Sequence, residues 1–283
     1  MRLTNKYGLP QPIYDAVAND PYTKGDADYS ITGLLKPPRI AQLERVHSAE
    51  IEEDASDRIF SLIGQVAHGI LERSERVAIA EKRLYMEIDG VRISGQTDRF
   101  VYQSGLLQDY KVTSVWKVMK KLDVDWVRQQ NAYKFLLEYN GFTCNKAEIV
   151  AIFRDWKKSQ ARTEEAYPVA QVQIVDIPLW DSTDTVRFLR ERIRLHEEAK
   201  KVLPRCSSEE QWAVSDSWAV MKKGGKRAVK VYYDEESAKE HVAAFAEDGY
   251  TIVFRRGLRR RCVDYCRVSS FCEQYKEETA AQE

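Results

Sequence analysis

Two carboxylates and one amine lie close together in the middle of the sequence, at Asp98, Asp109 and Lys111. Carboxylate oxygens are the ligands that Mg²⁺ and Mn²⁺ prefer, and a nearby ammonium can orient a water molecule and stabilise charge on a phosphate. The three residue types therefore predict a metal-dependent phosphodiesterase site. An exposed salt bridge between neighbouring strands is the alternative interpretation.

A β-hairpin is the element expected to bring these residues together. Ser104-Gly105 is a two-residue turn signal between residues 99–103 and 106–112, which are rich in aromatic and aliphatic side chains. With that turn, Gln103 pairs with Leu106, so Asp98 lies across from Lys111 and diagonal to Asp109. Because side chains alternate along a strand, all three share one face of the sheet.

A helix before the hairpin carries His68 and, one turn later, Glu72. Its apolar residues recur at helical spacing and predict the side that faces the core: Ile59, Leu62, Ile63, Val66 and Ile70. His68 and Glu72 lie away from that stripe, where a neutral imidazole can complete a metal site with carboxylates. A solvated helix face is the alternative.

A second helix, after Asp125-Trp126, carries Gln129 and Tyr133 as neighbours on one face. Taken in order, the chain has His68-x3-Glu72, Asp98, Asp109-x-Lys111 and Gln129-x3-Tyr133. This order resembles the RecB-type branch of the PD-(D/E)XK nuclease superfamily. A packed tyrosine with an exposed glutamine is the alternative interpretation of the last pair.

The resemblance implies a role for each matching residue. His68, Asp98 and Asp109 are the expected metal ligands, with the Tyr110 carbonyl as a further one and Glu72 as a weaker ligand or as a partner of a ligand. Lys111 is the expected catalytic lysine, supported by Gln129 and Tyr133. Thr97 stands where the family has a proline before the first acidic residue.

Cysteines give a second signal near the C-terminus. Cys262, Cys266 and Cys272 lie within eleven residues, and Cys206 is the expected distant fourth member. In a reducing compartment, clustered cysteines bind metal more often than they form disulfides. Four thiolates suit zinc and iron-sulfur clusters alike, so spacing does not choose between them. Cys144 competes for the fourth position, although a free thiol in the core is the preferred interpretation for it.

The resemblance favours iron-sulfur. CRISPR-associated RecB-like exonucleases and the nuclease of the AddAB helicase-nuclease carry a [4Fe-4S] cluster with one upstream cysteine and three C-terminal ones. In those families the single cysteine precedes the catalytic motifs, whereas Cys206 follows them here. Zn²⁺ is the alternative metal.

Composition sets the remaining expectations. The 283 residues are 43% hydrophobic and carry 44 basic and 44 acidic side chains, so the net charge is zero. The polar N-terminus and the absence of a long apolar run predict a cytoplasmic protein that does not cross a membrane. Basic residues form three runs that are expected to contact DNA: Lys117 to Lys121, Lys222 to Arg227, and Arg255 to Arg261.

The predicted fold class is α/β, with a restriction-endonuclease-like core in which helices flank a central mixed sheet. Residues 1–203 form this core with an N-terminal extension in which residues 30–39 pack as an entry to the fold. Residues 204–283 form a cysteine-stapled C-terminal module that ends in a disordered tail from Lys276 onward. Strands are expected at 83–88, 91–94, 147–153, 169–177, 228–233 and 250–255, and further helices at 182–203 and 235–246.

The predicted function is metal-dependent exonuclease activity on DNA in recombination, repair or phage replication. The resemblance implies a DNA substrate with free ends, and it allows a helicase or recombination partner. Single-stranded character is suggested by Trp212 and Trp218 beside the basic run at 222–227, whose indoles can stack on unpaired bases, with core packing as the preferred interpretation of both. Three alternatives remain open at this point: an endonuclease of the same fold, a catalytically silent DNA-binding or assembly subunit whose cysteines hold a structural metal, or an unrelated zinc-stapled structural protein with a coincidental hairpin.

Overall fold

A computed structural model describes residues 1–19, 23–74, 83–245 and 249–280. The chain divides into two compact units: unit 1 comprises Met1–Gln42 and Ser48–Leu203, and unit 2 comprises Leu43–His47 and the chain from Pro204 onward. The division after Leu203 is where the sequence analysis placed it. The short segment Leu43–His47 belongs to unit 2 instead, where His47 stacks on Phe271 with ring centroids 4.2 Å apart.

Unit 1 contains most of the regular structure. Its strands are β1 (Arg2–Thr4), β2 (Tyr29–Ser30), β3 (Glu52–Asp54), β4 (Arg83–Ile88), β5 (Val91–Gln96), β6 (Arg99–Val101), β7 (Leu106–Thr113), β8 (Lys146–Phe153) and β9 (Val172–Ile177). Its helices are α1 (Gln11–Ala18), α2 (Ile31–Leu35), α3 (Pro38–Val46, whose last residues group with unit 2), α4 (Ile59–Ser74), α5 (Val124–Tyr139), α6 (Lys158–Thr163) and α7 (Ser182–Ala199). Short 3-10 turns cover Ala55–Arg58 and Val115–Lys117.

Two mixed sheets organise unit 1. One has the strand order β2-β5-β4, and the other has the order β6-β7-β8-β9, in which only β7 and β8 run parallel. The β4–β5 hairpin turns at Asp89 and Gly90, whose φ angles are 51° and 79°. A two-residue turn with two positive φ angles is the type whose twist matches that of the strands, and Asp-Gly is a preferred sequence for it.

The core of unit 1 lies between the strands and the helices α2, α5 and α7. Phe100, Leu107 and Ile149 from the sheet meet Leu136 of α5 and Leu189 of α7 in one buried cluster. Ile31 and Leu34 of α2 belong to the same cluster, so the segment at residues 30–39 does pack as an entry to the fold. Burial of these apolar side chains is the main favourable term for unit 1.

Helix α4 is oriented differently from the prediction. Ile63, Val66 and Ile70, which were expected to face the core, have 42%, 53% and 52% of their surface exposed. The side that carries His68 instead faces β7. Periodicity identifies the apolar side of a helix, but it does not identify what covers that side, and here the contacts with β7 decide the orientation.

The hairpin of β6 and β7 also has a different register from the predicted one. Its turn has four residues, Tyr102–Gly105, and Val101 pairs with Leu106. Extending this register places Asp98 across from Asp109 rather than across from Lys111. Gly105 is held by a contact from outside the hairpin, because its carbonyl accepts a hydrogen bond of 2.8 Å from the Asn145 amide. Since the shift is two residues, every side chain keeps its predicted face.

Unit 2 is built on a smaller antiparallel sheet of order β11-β10-β12. Its elements are β10 (Ser217–Lys222), β11 (Ala228–Tyr232), α8 (Glu235–Ala244), β12 (Tyr250–Arg255), a π-turn (Arg261–Tyr265), a 3-10 turn (Ser269–Phe271) and α9 (Glu273–Ala280). The predicted disordered tail is wrong for residues 276–280, which are helical; residues 281–283 and the predicted end of α8 at Ala246 lie outside the described residues.

The fold class is therefore mixed α/β, with several mixed sheets flanked by helices. Among the described helices, none combines the length and the apolar character needed to cross a membrane.

Candidate functional site

The candidate site lies on β7 in unit 1, where α4 and α5 approach the sheet. Asp109 and Lys111 are alternate residues of β7 and so share one face, while Asp98 lies in the short link between β5 and β6. Helix α4 contributes His68, and α5 contributes Gln129. Four separate elements thus converge on one corner of the sheet.

His68 connects α4 to both sides of the hairpin. Its Nε2 lies 3.0 Å from the Tyr110 carbonyl oxygen, and its Nδ1 lies 3.3 Å from Asp98 Oδ1. Because both partners accept hydrogen bonds, the contacts favour the imidazolium form. The hydrogen bond to Asp98 accordingly raises the pKa of His68, although burial opposes the rise.

Asp98 is held by the opposite strand as well as by the helix. Its second oxygen, Oδ2, accepts a hydrogen bond of 2.8 Å from the Tyr110 amide. The backbone of Tyr110 therefore contacts His68 through its carbonyl oxygen and Asp98 through its amide nitrogen. This arrangement fixes the side chains of Asp98 and His68 beside β7.

Asp109 is the buried carboxylate of the site. Its Oδ1 accepts a hydrogen bond of 3.1 Å from Gln129 Nε2, and its Oδ2 lies 2.7 Å from Lys111 Nζ in a geometry without a directed hydrogen bond. Burial raises the pKa of Asp109 to about 6, with Lys111 acting in the opposite direction. Burial lowers the pKa of Lys111, but the adjacent Asp109 carboxylate outweighs that effect and raises it overall.

Two predicted residues have different surroundings from the other six. Tyr133 is buried in the core beside Gly95, so close that a Cβ atom on Gly95 would lie 2.8 Å from its ring. Glu72 is exposed one turn beyond His68, and none of the described contacts joins it to Asp98 or Asp109. The site therefore brings together six of the eight predicted residues: His68, Asp98, Asp109, Tyr110, Lys111 and Gln129.

Four cysteines belong to unit 2. Burial, reinforced by the neighbouring Cys266 and Cys272 thiols, raises the pKa of Cys262 to about 11. The Gln274 side chain makes two hydrogen bonds to the Cys206 backbone. The Cys206 amide donates to Gln274 Oε1 at 2.7 Å, and the Cys206 carbonyl accepts from Gln274 Nε2 at 3.0 Å. Because Gln274 follows Cys272 by two residues, this clamp ties the Cys206 backbone to the C-terminal cysteine segment.

Cys144 lies in the hydrophobic core of unit 1, as the preferred sequence interpretation held. Its thiol is 3.6 Å from the Lys146 carbonyl oxygen, and burial raises its pKa to about 11. Across residues 1–19, 23–74, 83–245 and 249–280, no group of three or more His, Cys, Asp or Glu side chains has an arrangement that could hold a metal ion.

Sequence reasoning did not include three residues at the end of β7: Phe60, Trp116 and Arg154. Phe60 and Trp116 have 62% and 50% of their surface exposed, and the Arg154 guanidinium lies 4.2 Å from the centre of the Phe60 ring. No motif marks these residues. Only the path of α4 along β7 brings Phe60 close to the strand that carries Lys111.

Comparison with known proteins adds little to this geometry. No protein-family model matches the sequence, and no curated protein is significantly similar to it. Solved structures with a similar arrangement include the crystal structure of SSO0001, which aligns with a TM-score of 0.47 and 16% sequence identity over 65% of this chain and 84% of that chain. This similarity is too distant to indicate a function.

Proposed function

We propose that this chain is a metal-dependent deoxyribonuclease that hydrolyses phosphodiester bonds from DNA ends. The observation that supports this proposal is the convergence of Asp98, Asp109 and Lys111 with His68 on one sheet face. The proposed core is restriction-endonuclease-like, with β6 to β9 as its sheet and α4 and α5 as its flanking helices.

The residues present fit a divalent cation. Asp109 Oδ2 is buried with the Lys111 ammonium 2.7 Å away, and the proximity of Asp98 helps to raise the pKa of Asp109. Two carboxylates so close together are stabilised by a hard cation, for which oxygen donors are the preferred ligands. Asp98, Asp109, the Tyr110 carbonyl and, in its neutral form, His68 would hold Mg²⁺ or Mn²⁺, which when bound would polarise the phosphate and lower the pKa of a coordinated water.

The chain's own residues supply the remaining chemistry. Lys111, which the adjacent Asp109 keeps as an ammonium, orients the attacking water and balances negative charge that develops on the phosphate. Its ion pair with Asp109 keeps the ammonium on the reacting face. Gln129 holds Asp109 through Oδ1, so that the carboxylate keeps one orientation during the reaction.

The cysteines of unit 2 support a second, structural metal. Cys206, Cys262, Cys266 and Cys272 would hold a [4Fe-4S] cluster or, alternatively, Zn²⁺. The electrostatic effect of Cys266 and Cys272 on Cys262 and the hydrogen bonds of Gln274 to the Cys206 backbone favour this group of four over one that includes Cys144, which is in the core of unit 1. Thiol pKa values as high as about 11 mean that a cation is needed to hold thiolates at neutral pH.

Labelled DNA tests the proposed activity. Single-stranded, duplex and circular DNA, each labelled at the 5′ or 3′ end where an end exists, would be incubated with Mn²⁺ or Mg²⁺ and wild-type protein purified without oxygen. Shortening of the linear substrates alone, abolished by EDTA, is the expected result and would show the polarity. Nicking of circles would establish an endonuclease instead. No cleavage of any substrate would contradict the proposal and favour a DNA-binding or assembly subunit.

A further inference from the structure

A second group of residues lies at the carboxyl end of β7, beyond the proposed catalytic residue Lys111. Lys111 is followed two residues later by Thr113, the last residue of β7, which pairs with Phe153 of β8. Arg154 comes next, and its amide donates a hydrogen bond of 3.0 Å to the Thr113 carbonyl. The backbone of Arg154 is therefore fixed beside the end of the strand that carries Lys111.

Phe60 meets Arg154 at this end. The guanidinium lies 4.2 Å from the ring centre, and the Phe60 side chain remains largely exposed. Phe60 precedes His68 by eight residues of α4, which corresponds to about 12 Å along the helix. At ~3.4 Å per nucleotide on a B-form strand, that distance spans on the order of three or four nucleotides, and fewer on an extended strand.

Trp116 is held at the same end by Asp155, the residue that follows Arg154. The Asp155 carboxylate accepts hydrogen bonds from Ser114 Oγ at 2.6 Å and from the Val115 amide at 2.8 Å. These two bonds fix the turn that carries Trp116, whose indole is half exposed. The Trp116 side chain therefore extends from a turn whose backbone is fixed by hydrogen bonds.

The chemistry of this end fits one class of occupant. Single exposed aromatic residues are normal on a protein surface and need no explanation. Here two of them accompany the exposed Arg154, and the exposed Lys120 and Lys121 follow Trp116. Stacking faces next to cations match unpaired DNA, in which bases alternate with negatively charged phosphates.

We propose that Phe60, Trp116 and Arg154 form a subsite that binds unpaired nucleotides of the DNA substrate, a few nucleotides from the bond that is cut. Phe60 and Trp116 offer ring faces to bases, and Arg154 contacts a phosphate between them. The proposal rests on the proposed function for its substrate, but it predicts binding that is measurable without hydrolysis. It also makes single-stranded DNA the preferred substrate.

Binding is measured in EDTA, where a metal-dependent nuclease cannot cut. Fluorescence anisotropy would follow a labelled twelve-nucleotide oligo-dT and a blunt duplex of the same length with wild type, Phe60→Ala and Arg154→Gln. Phe60→Ala should weaken oligo-dT binding on the order of 5- to 100-fold, the range for loss of one base–aromatic stack, with duplex binding unchanged. Arg154→Gln should reduce the slope of log affinity against log salt by about 0.7.

Control variants distinguish loss of the subsite from the effect of removing any exposed aromatic or arginine side chain. Tyr102→Ala removes an aromatic side chain that is 57% exposed at the opposite end of β7, and it should leave oligo-dT binding unchanged. Arg187→Gln removes an exposed arginine from α7 and should leave the salt dependence unchanged. Phe60→Trp should restore the affinity that Phe60→Ala loses, because an indole also stacks on bases.

Cleavage assays with Mn²⁺ distinguish failure of the subsite from failure of the nuclease. A higher KM for single-stranded DNA in Phe60→Ala, with kcat retained, supports the subsite, since a merely structural role would not separate the two constants. Weaker oligo-dT binding by the variants supports the subsite even if the wild type cuts no DNA. If Phe60→Ala and Arg154→Gln bind oligo-dT as the wild type does, the subsite is overturned, whether or not the wild type is a nuclease.

Discussion

Gly95 provides a quantitative test of how the candidate site is supported. A Cβ atom at this position of β5 would lie 2.7 Å from Leu136 Cδ2, 2.8 Å from Ile31 Cδ1 and 2.8 Å from Tyr133 Cε1. All three neighbours are buried, so none can move into solvent to make room. Gly95→Ala should therefore lower the free energy of unfolding by about 1–3 kcal/mol, the usual cost of overpacking a core.

Thermal unfolding followed by circular dichroism measures this effect. For a unit of this size, 1 kcal/mol corresponds to roughly 2–4 °C in Tm, so Gly95→Ala should lower Tm by about 2–12 °C. Gly64→Ala is a matched control, because a Cβ atom there would contact nothing within 4 Å and the residue lies inside α4. Alanine favours helices, so this variant should gain about 0.5–1 kcal/mol. An unchanged or higher Tm in Gly95→Ala would refute the packing argument.

Three further predictions follow from individual contacts. Gln129→Leu removes the amide that donates to Asp109, so it should raise the pKa of Asp109 further. Mn²⁺-dependent cleavage should slow on the order of 5- to 100-fold, and the acid limb of the pH–rate profile should move to higher pH. Burial lowers the pKa of His196 in the folded state, so the unfolded state takes up a proton first as the pH falls. The free energy of unfolding should therefore fall as the pH drops below about 6.5. His196→Gln should flatten this pH dependence when the free energy of unfolding is measured by urea titration. Cys266→Ser should deplete the iron or zinc of the purified protein, whereas Cys144→Ser should leave the metal content unchanged, as measured by elemental analysis.

Each of these predictions has a contradicting result. A pH–rate profile for Gln129→Leu that superimposes on the wild type would exclude a role for the amide in holding Asp109. Equal pH dependence of stability in wild type and His196→Gln would show that the buried imidazole is not the group responsible. Full metal content in Cys266→Ser, or metal loss in Cys144→Ser, would contradict the proposed group of four cysteines.

Local sequence signals predicted much of the fold because the physics they report is local. Strands were predicted at 83–88 and 91–94, and the two residues between them, Asp89 and Gly90, have the positive φ angles that suit a two-residue hairpin turn. Strands β4 and β12 have the predicted bounds. The two-residue repeat of strands also preserved the shared face of Asp109 and Lys111, even though the hairpin register was wrong by two residues, and Asp98 bonds to the Tyr110 amide between them from the link before β6.

The errors come from contacts that are distant in sequence. The hairpin turn is set partly by Asn145, which bonds to Gly105 across 40 residues. The side of α4 that faces β7 is set by the contacts of His68 with Tyr110 and Asp98, and these contacts leave Ile63 exposed. Neither the position of a partner strand nor the cover on a helix face is encoded in the periodicity of one segment.

The most direct test of the central claim is the single-turnover rate of DNA hydrolysis with Mn²⁺, compared between wild type and Lys111→Met. Methionine keeps the unbranched apolar stem of the side chain but removes the ammonium that lies beside Asp109. Thermal unfolding would first establish that both proteins are folded. The proposed function predicts a rate reduced by about 10²- to 10⁴-fold in the variant. Cleavage by Lys111→Met at the wild-type rate would contradict it.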